Sequence, residues 1–143
     1  MGYNNKKVIM IAEDDADDRY LLQAAFEDNG FTDELIFVEN GLELLDHLNG
    51  AVSGEGLAMP DLILLDLNMP KKDGREALRE IKESDATKRI PVVIFSTTNN
   101  KHEIVRCYDL GVNSYITKPN SFEQLVKVVM TLRNYWLEVN KYS

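Results

Sequence analysis

Asp61-Leu62-Ile63-Leu64-Leu65-Asp66 is the stretch on which the fold turns, an uninterrupted apolar run with an acid at each end. A strand with one wet face alternates apolar and polar residues, because successive side chains point to opposite sides. That alternation is missing here, so both faces must be covered, as in a parallel sheet packed between helices. This third strand is therefore expected to be central.

Upstream, Lys7 to Ala12 forms a first apolar run, followed by an acidic turn and a helix to about Asn29. The inward stripe of that helix pairs Leu21 with Ala25 and Leu22 with Phe26. Gly30 stops it, Glu34 to Val38 reads as a second strand, and Asn40 caps a short helix carrying Leu44, Leu45 and Leu48. Residues 49–60, rich in Gly and Ser and closed by Pro60, are expected to form an exposed loop.

Downstream, a turn through Pro70 to Gly74 leads to a helix with Ala77, Leu78 and Ile81 inward, then to Pro91 and a strand from Val92 to Ser96. A helix around Ile104, Val105 and Tyr108 ends at Gly111, and Asn113 to Thr117 is the fifth strand. Ser121 and Gln124 make a capping box for the last helix. Its stripe reads Leu125, Val128, Val129, Leu132, Tyr135, Trp136 and Val139. Strict strand-helix alternation predicts an α/β fold, a doubly wound parallel sheet with helices on both faces and right-handed crossovers. Residues 1–143 are expected to form one domain with no output domain and no internal repeat.

Composition narrows the function. The 143 residues carry 16 basic and 24 acidic side chains, a net charge of −8, which repels nucleic acid and anionic membrane surfaces. No apolar stretch has transmembrane length, and the start lacks the apolar run of a signal peptide. Met1-Gly2 lacks the Ser or Thr at Lys6 that myristoylation favours. The single cysteine, Cys107, has no partner in the chain for a disulfide, so a reducing, cytoplasmic setting is expected.

In open parallel sheets the ligand site lies beyond the carboxyl ends of the strands. Those ends are polar here: Glu13-Asp14-Asp15 after the first strand, Asp66 after the third, Ser96-Thr97-Thr98 at the fourth, and Lys118 after the fifth. Two carboxylates at 4 Å repel by about 4 kcal/mol at an effective dielectric near 20, so a cluster of Glu13, Asp14 and Asp66 needs a cation. Oxygen ligands open to water suit Mg²⁺. Asp66 as nucleophile, with Lys118 and the Ser96 hydroxyl on the phosphoryl oxygens, would give an aspartyl phosphate. Singly, each residue has a blander explanation, since acids suit helix starts and turns. Four strand ends with complementary chemistry at one rim outweigh it.

Glu13-Asp14, Leu65-Asp66-Leu67-Asn68-Met69-Pro70, Ser96 and Lys118-Pro119 together resemble the signature of bacterial response-regulator receiver domains, over nearly the whole chain. The spacing from Pro91 through Ser96 and Tyr115 to Lys118 is similar to that of chemotaxis-type single-domain regulators. The loop before Pro60 and the end Tyr135-Trp136-Leu137-Glu138-Val139 resemble the small regulators partnered with bacterial phytochromes.

The resemblance implies a flavodoxin-like sheet in the order 2-1-3-4-5 and a phosphoryl group taken onto Asp66 from a histidine kinase of phytochrome type. It implies Mg²⁺ on Asp14, Asp66 and the Asn68 main-chain carbonyl, with Glu13 acting through water. Lys118 would contact the phosphoryl group. Ser96, Tyr115 and Pro119 would carry the conformational response, with the Lys118-Pro119 bond cis and the face of the fourth helix, fifth strand and fifth helix remodelled. The signal would leave through a downstream protein target or a phosphotransfer protein, and the apolar last helix suits a homodimer. Asn120 departs from the Phe frequent after the family's Lys-Pro, and the acids continue through Asp15, Asp17 and Asp18.

One rival is a Mg²⁺-dependent phosphohydrolase with an aspartyl-phosphate intermediate. Haloacid dehalogenase-type enzymes put that nucleophile on the first strand with a second Asp two residues on, where Asn68 stands here. Another is a degenerate receiver acting as a constitutive interaction module, against which the intact acids, Ser96 and Lys118 argue. His47 and His102 fall within expected helices and are assigned structural roles, and Cys107 a small buried one.

Overall fold

A computed structural model describes residues 6–139, so the Met1-Gly2 reading lies outside the described residues. The elements alternate as β1 (Val8–Ala12), α1 (Ala16–Asp28), β2 (Glu34–Val38), α2 (Gly41–Val52), β3 (Leu62–Leu65), α3 (Gly74–Glu83), β4 (Val92–Ser96), α4 (Lys101–Asp109), β5 (Ser114–Thr117) and α5 (Phe122–Asn134). A π-helical turn, Tyr135–Val139, continues α5. The sheet is wholly parallel in the order β2-β1-β3-β4-β5, with β3 central as its unbroken apolar run requires.

Alternate strand residues feed two cores. Met10, Ala12, Ile63, Leu65, Val92 and Ile94 pack with Leu44, Leu48, Ala77, Leu78, Ile81 and Cys107, so α2, α3 and α4 cover one face. Ile9, Ile11, Leu62, Leu64, Val93 and Phe95 pack with Leu22, Ala25, Phe26, Leu125, Val129 and Leu132, so α1 and α5 cover the other. Every residue of β3 and β4 is buried, and each large aliphatic chain so buried contributes about 1.5–3 kcal/mol.

Side-chain caps start the helices: Asp15 accepts from the Asp17 and Asp18 N–H groups, Asn40 from Glu43, Asp73 from Arg75 and Glu76, Asn100 from His102 and Glu103, and Ser121 from Gln124. The turn after β3 depends on a missing side chain. A Cβ on Gly74 would lie 2.3 Å from the Asp66 carbonyl oxygen and 2.8 Å from the Leu67 Cα. The start of α3 is thereby pressed against the backbone that carries Asp66.

Several expectations need correction. α2 continues to Val52, so the first four residues of the expected 49–60 loop are helical. Gly50 is tolerated there because the site of its absent Cβ is filled by Leu57 Cδ1, 2.7 Å away. Leu21 is 39% exposed, because the inward stripe of α1 is Leu22, Ala25 and Phe26. Tyr135 is also exposed, since the π-helical turn changes the angular spacing of the last stripe. Cys107 is buried, and the His47 ring nitrogen Nε2 lies 2.9 Å from the Ala58 carbonyl oxygen, a local tie consistent with a structural role.

Candidate functional site

Pairing of Ala12 with Leu65 makes β1 and β3 end side by side, so the residues just beyond them leave the sheet as neighbours. The Asp66 N–H donates to the Ala12 carbonyl at 3.1 Å, and the Glu13 N–H to the Val38 carbonyl at 2.9 Å. Carboxylate oxygens of Glu13, Asp14 and Asp66 thereby lie within 4.8 Å of one another. Lys118 follows β5, its N–H donating to the Ser96 carbonyl at 2.9 Å. From there its Nζ donates to Glu13 Oε1 at 2.6 Å, Asp18 Oδ2 at 2.8 Å and Asp66 Oδ2 at 3.2 Å.

The electrostatics are lopsided. Glu13 and Asp66 are buried, at 2% and 7% exposure, whereas Asp14 is open to solvent. Burial pushes the Glu13 carboxyl up to about 7; hydrogen bonds from Lys118 and the Asp15 N–H oppose the rise, and the Asp66 charge adds to it. Burial alone would lower the Lys118 ammonium, but its hydrogen bonds to Asp18 and Glu13 and the charges of Asp66 and Glu13 outweigh that and hold it above the ordinary lysine range. A pocket with this excess of carboxylate oxygens, one of its acids facing water, suits a hard divalent cation that retains part of its hydration shell.

Asn68, Ser96 and Tyr115 are placed differently with respect to this pocket. The Asn68 N–H donates to Asp66 Oδ1 at 3.3 Å, which keeps the Asn68 backbone beside the carboxylates. Ser96 is fully buried at the end of β4, next to β3, and its Oγ accepts from the Thr98 N–H at 3.3 Å. Tyr115 is not in the carboxylate pocket. It is joined to it by a relay: its hydroxyl donates to the Thr98 carbonyl at 2.5 Å, and Asn68 Nδ2 donates to the Thr98 hydroxyl at 3.2 Å.

The Lys118-Pro119 bond is trans, as no described peptide bond is cis, which corrects the cis geometry implied by resemblance. Trans is favoured by about 0.5–1 kcal/mol in X-Pro bonds, and the three carboxylates aim Lys118 without help from a cis bond.

Two residues that the sequence places near the rim without a role make contacts in the site. Asp18 looked like one more acid in a solvated run, and only the cross-chain contact to Lys118, 100 residues away, singles it out. Thr98 stands two residues beyond Ser96, and that offset was the available signal.

The response regulator receiver domain model matches residues 9–130. The chain belongs to the response-regulator receiver family. It is 42% identical over 135 residues to response regulator Rcp1 of Synechocystis sp. strain PCC 6803, covering 94% of this chain and 92% of Rcp1. The crystal structure of the phosphorylated cyanobacterial phytochrome response regulator RcpA is similar at a TM-score of 0.88 and 42% identity, covering 95% of this receiver and 97% of that chain. The Mn²⁺-bound form of Rcp1 is similar at a TM-score of 0.85 and 40% identity, covering 96% and 99%. This receiver is thus a two-component signalling protein, with its acids just beyond the first and third strands of a flavodoxin-like sheet and Asp66 after the third. The haloacid dehalogenase-type alternative, with its nucleophile on the first strand, is set aside.

Proposed function

We propose that Asp66 is the phosphoacceptor of a histidine kinase. An Asp66 carboxylate oxygen attacks phosphorus as the bond to the kinase imidazole breaks; the imidazole nitrogen keeps the bonding pair and takes up a proton, and the product is an acyl phosphate. The observation that carries this reading is the convergence of Glu13, Asp14 and Asp66 beside Lys118. Mg²⁺ would be held by Asp14, Asp66 and the Asn68 carbonyl, with Glu13 acting through water, and when bound it offsets charge on the phosphoryl oxygens. Lys118 screens the same charge from the opposite side, and Ser96 donates its hydroxyl to a phosphoryl oxygen. Transfer onto Asp66 and slow hydrolysis of the product are the chemistry assigned to this chain, with no turnover of a separate substrate.

The signal leaves by population shift at the face of α4, β5 and α5. That assignment is supported by the Asn68-Thr98-Tyr115 relay, which runs from the carboxylate pocket to β5. A groove of about 500 Å³ on that face is lined by Tyr108, Tyr115, Val128, Tyr135 and Trp136. It fits a downstream protein, a phosphotransfer protein or a second copy of the chain. A phytochrome-type sensor kinase is supported by the likeness to RcpA, a phytochrome response regulator. Cytoplasmic residence accords with these partners.

Incubation with Mg²⁺ and acetyl phosphate, followed by intact-mass measurement, tests the assignment. The protein gains one phosphoryl group and Asp66→Asn gains none. Equal labelling of both proteins would refute it, and so would steady hydrolysis of unrelated phosphate esters.

A further inference from the structure

Lys118 is shared in an unexpected way. Its ammonium has three hydrogens, and three carboxylates take them. Asp66 receives the longest of the three bonds, at 3.2 Å, whereas Asp18 holds the ammonium at 2.8 Å from the first turn of α1. That ammonium is assigned to a phosphoryl group on Asp66, yet two of its three hydrogen bonds go to Glu13 and Asp18.

The competing partners differ in what it costs to release the lysine. Glu13 has a side chain only 3% exposed, so losing Lys118 would strand a buried carboxylate. The Asp18 side chain is 37% exposed, and water can replace the lysine there. A phosphoryl group brings about −1.5 to −2 charge and strong acceptor oxygens. It therefore draws Lys118 chiefly at the expense of Asp18, whose own negative charge stays close to the same ammonium.

We infer that Asp18 is a positioning residue that competes with the phosphoryl group for Lys118 and so limits the stability of the phosphorylated state. The inference rests on Asp66 being the phosphoacceptor. It also gives Asp18 a role different from that of Asp17, its neighbour in the same acidic run, which has its N–H on the Asp15 cap and shares no contact with Lys118 among the described residues.

Asp18→Asn keeps the size of the side chain and removes the charge, and Asp18→Glu restores it. With Mg²⁺ present, the full-length Asn variant is expected to bind beryllofluoride, a tetrahedral phosphoryl mimic, about two- to fivefold more tightly than the parent, the range that one partly exposed ion pair supports. Its acetyl-phosphate-driven occupancy should rise and its phosphoryl loss slow by a similar factor, while Asp18→Glu returns toward the parent and Asp17→Asn changes neither.

A second readout needs no metal or phosphoryl mimic. The ammonium resonance of Lys118 in ¹⁵N-labelled protein should shift in Asp18→Asn and stay unmoved in Asp17→Asn. Unchanged or weaker beryllofluoride binding by Asp18→Asn, in a protein whose melting is unaltered, would overturn the inference. If the parent itself takes no phosphoryl group, the Asp66 assignment has failed instead, and the Lys118 resonance still reports on the Asp18 contact alone.

Discussion

The two rims of the sheet handle charge in opposite ways. At the amino rim, charged groups are matched to their partners. Asp33 accepts from Arg133 Nε and Nη2 at 2.7 and 2.9 Å and from the Lys7 N–H at 3.2 Å, and Asp61 accepts the Val8 N–H at 2.8 Å. Lys82 donates to the Lys88 and Ile90 carbonyls and to Asn113 Oδ1 at 3.0, 2.8 and 2.9 Å, joining the end of α3 to the segments that lead into β4 and β5. At the carboxyl rim, Glu13, Asp18 and Asp66 crowd onto Lys118, with Asp14 beside them. One rim is arranged for stability; the other leaves charge uncompensated, which a cation and a phosphoryl group can exploit.

That contrast can be broken by substitution, and the largest effect is expected at the functional rim. Asp66→Asn should abolish phosphorylation while leaving the melting temperature unchanged or raised, because it removes one of several repelling carboxylates. A cooperative loss of fold would show that Asp66 is structural. At the amino rim the sign reverses. Arg133→Leu strands the buried Asp33 carboxylate, whose side chain is 2% exposed, and should cost about 3–5 kcal/mol in urea unfolding with phosphorylation retained. A cost below about 1 kcal/mol, the value of an ordinary surface pair, would erase the distinction between the rims.

Metal binding gives an intermediate effect. Mg²⁺ at a hundredfold excess over its Kd should stabilise the protein by about 2.7 kcal/mol through linkage, and Asp14→Asn should lose most of that response. Lys82→Met should be smaller in effect, since it removes hydrogen bonds to neutral acceptors and no ion pair. A loss of about 1–3 kcal/mol with unchanged Mg²⁺ response is expected.

These predictions rest on features that differ in how plainly the chain announces them. The central strand and the acids of the rim were legible because burial on both faces removes alternation, and because a parallel sheet gathers its strand ends on one side; the strand order followed only from the family resemblance. Glu13, Asp14, Asp66, Ser96 and Lys118 each stand at such an end. Asp18 was illegible because its significance lies in a contact across 100 residues, and local sequence presents Asp15, Asp17 and Asp18 alike. The extent of α2 was misread because Gly50 looks like a helix breaker until Leu57 is seen to occupy the space beside it. The clamp of Asp33 by Arg133 was missed for the same reason as Asp18: ordinary surface residue types made exceptional by tertiary contact.

Paramagnetic broadening by Mn²⁺ tests the difference between the rims most directly. Substoichiometric Mn²⁺ added to ¹⁵N-labelled protein should erase the amide signals of residues 13–15 and 66–69 first and leave those around Asp33, Lys82 and Arg133 sharp. Broadening spread evenly over exposed acids such as Asp28, Glu55 and Asp85, with no maximum beside Asp66, would contradict a built cation site at the carboxyl rim.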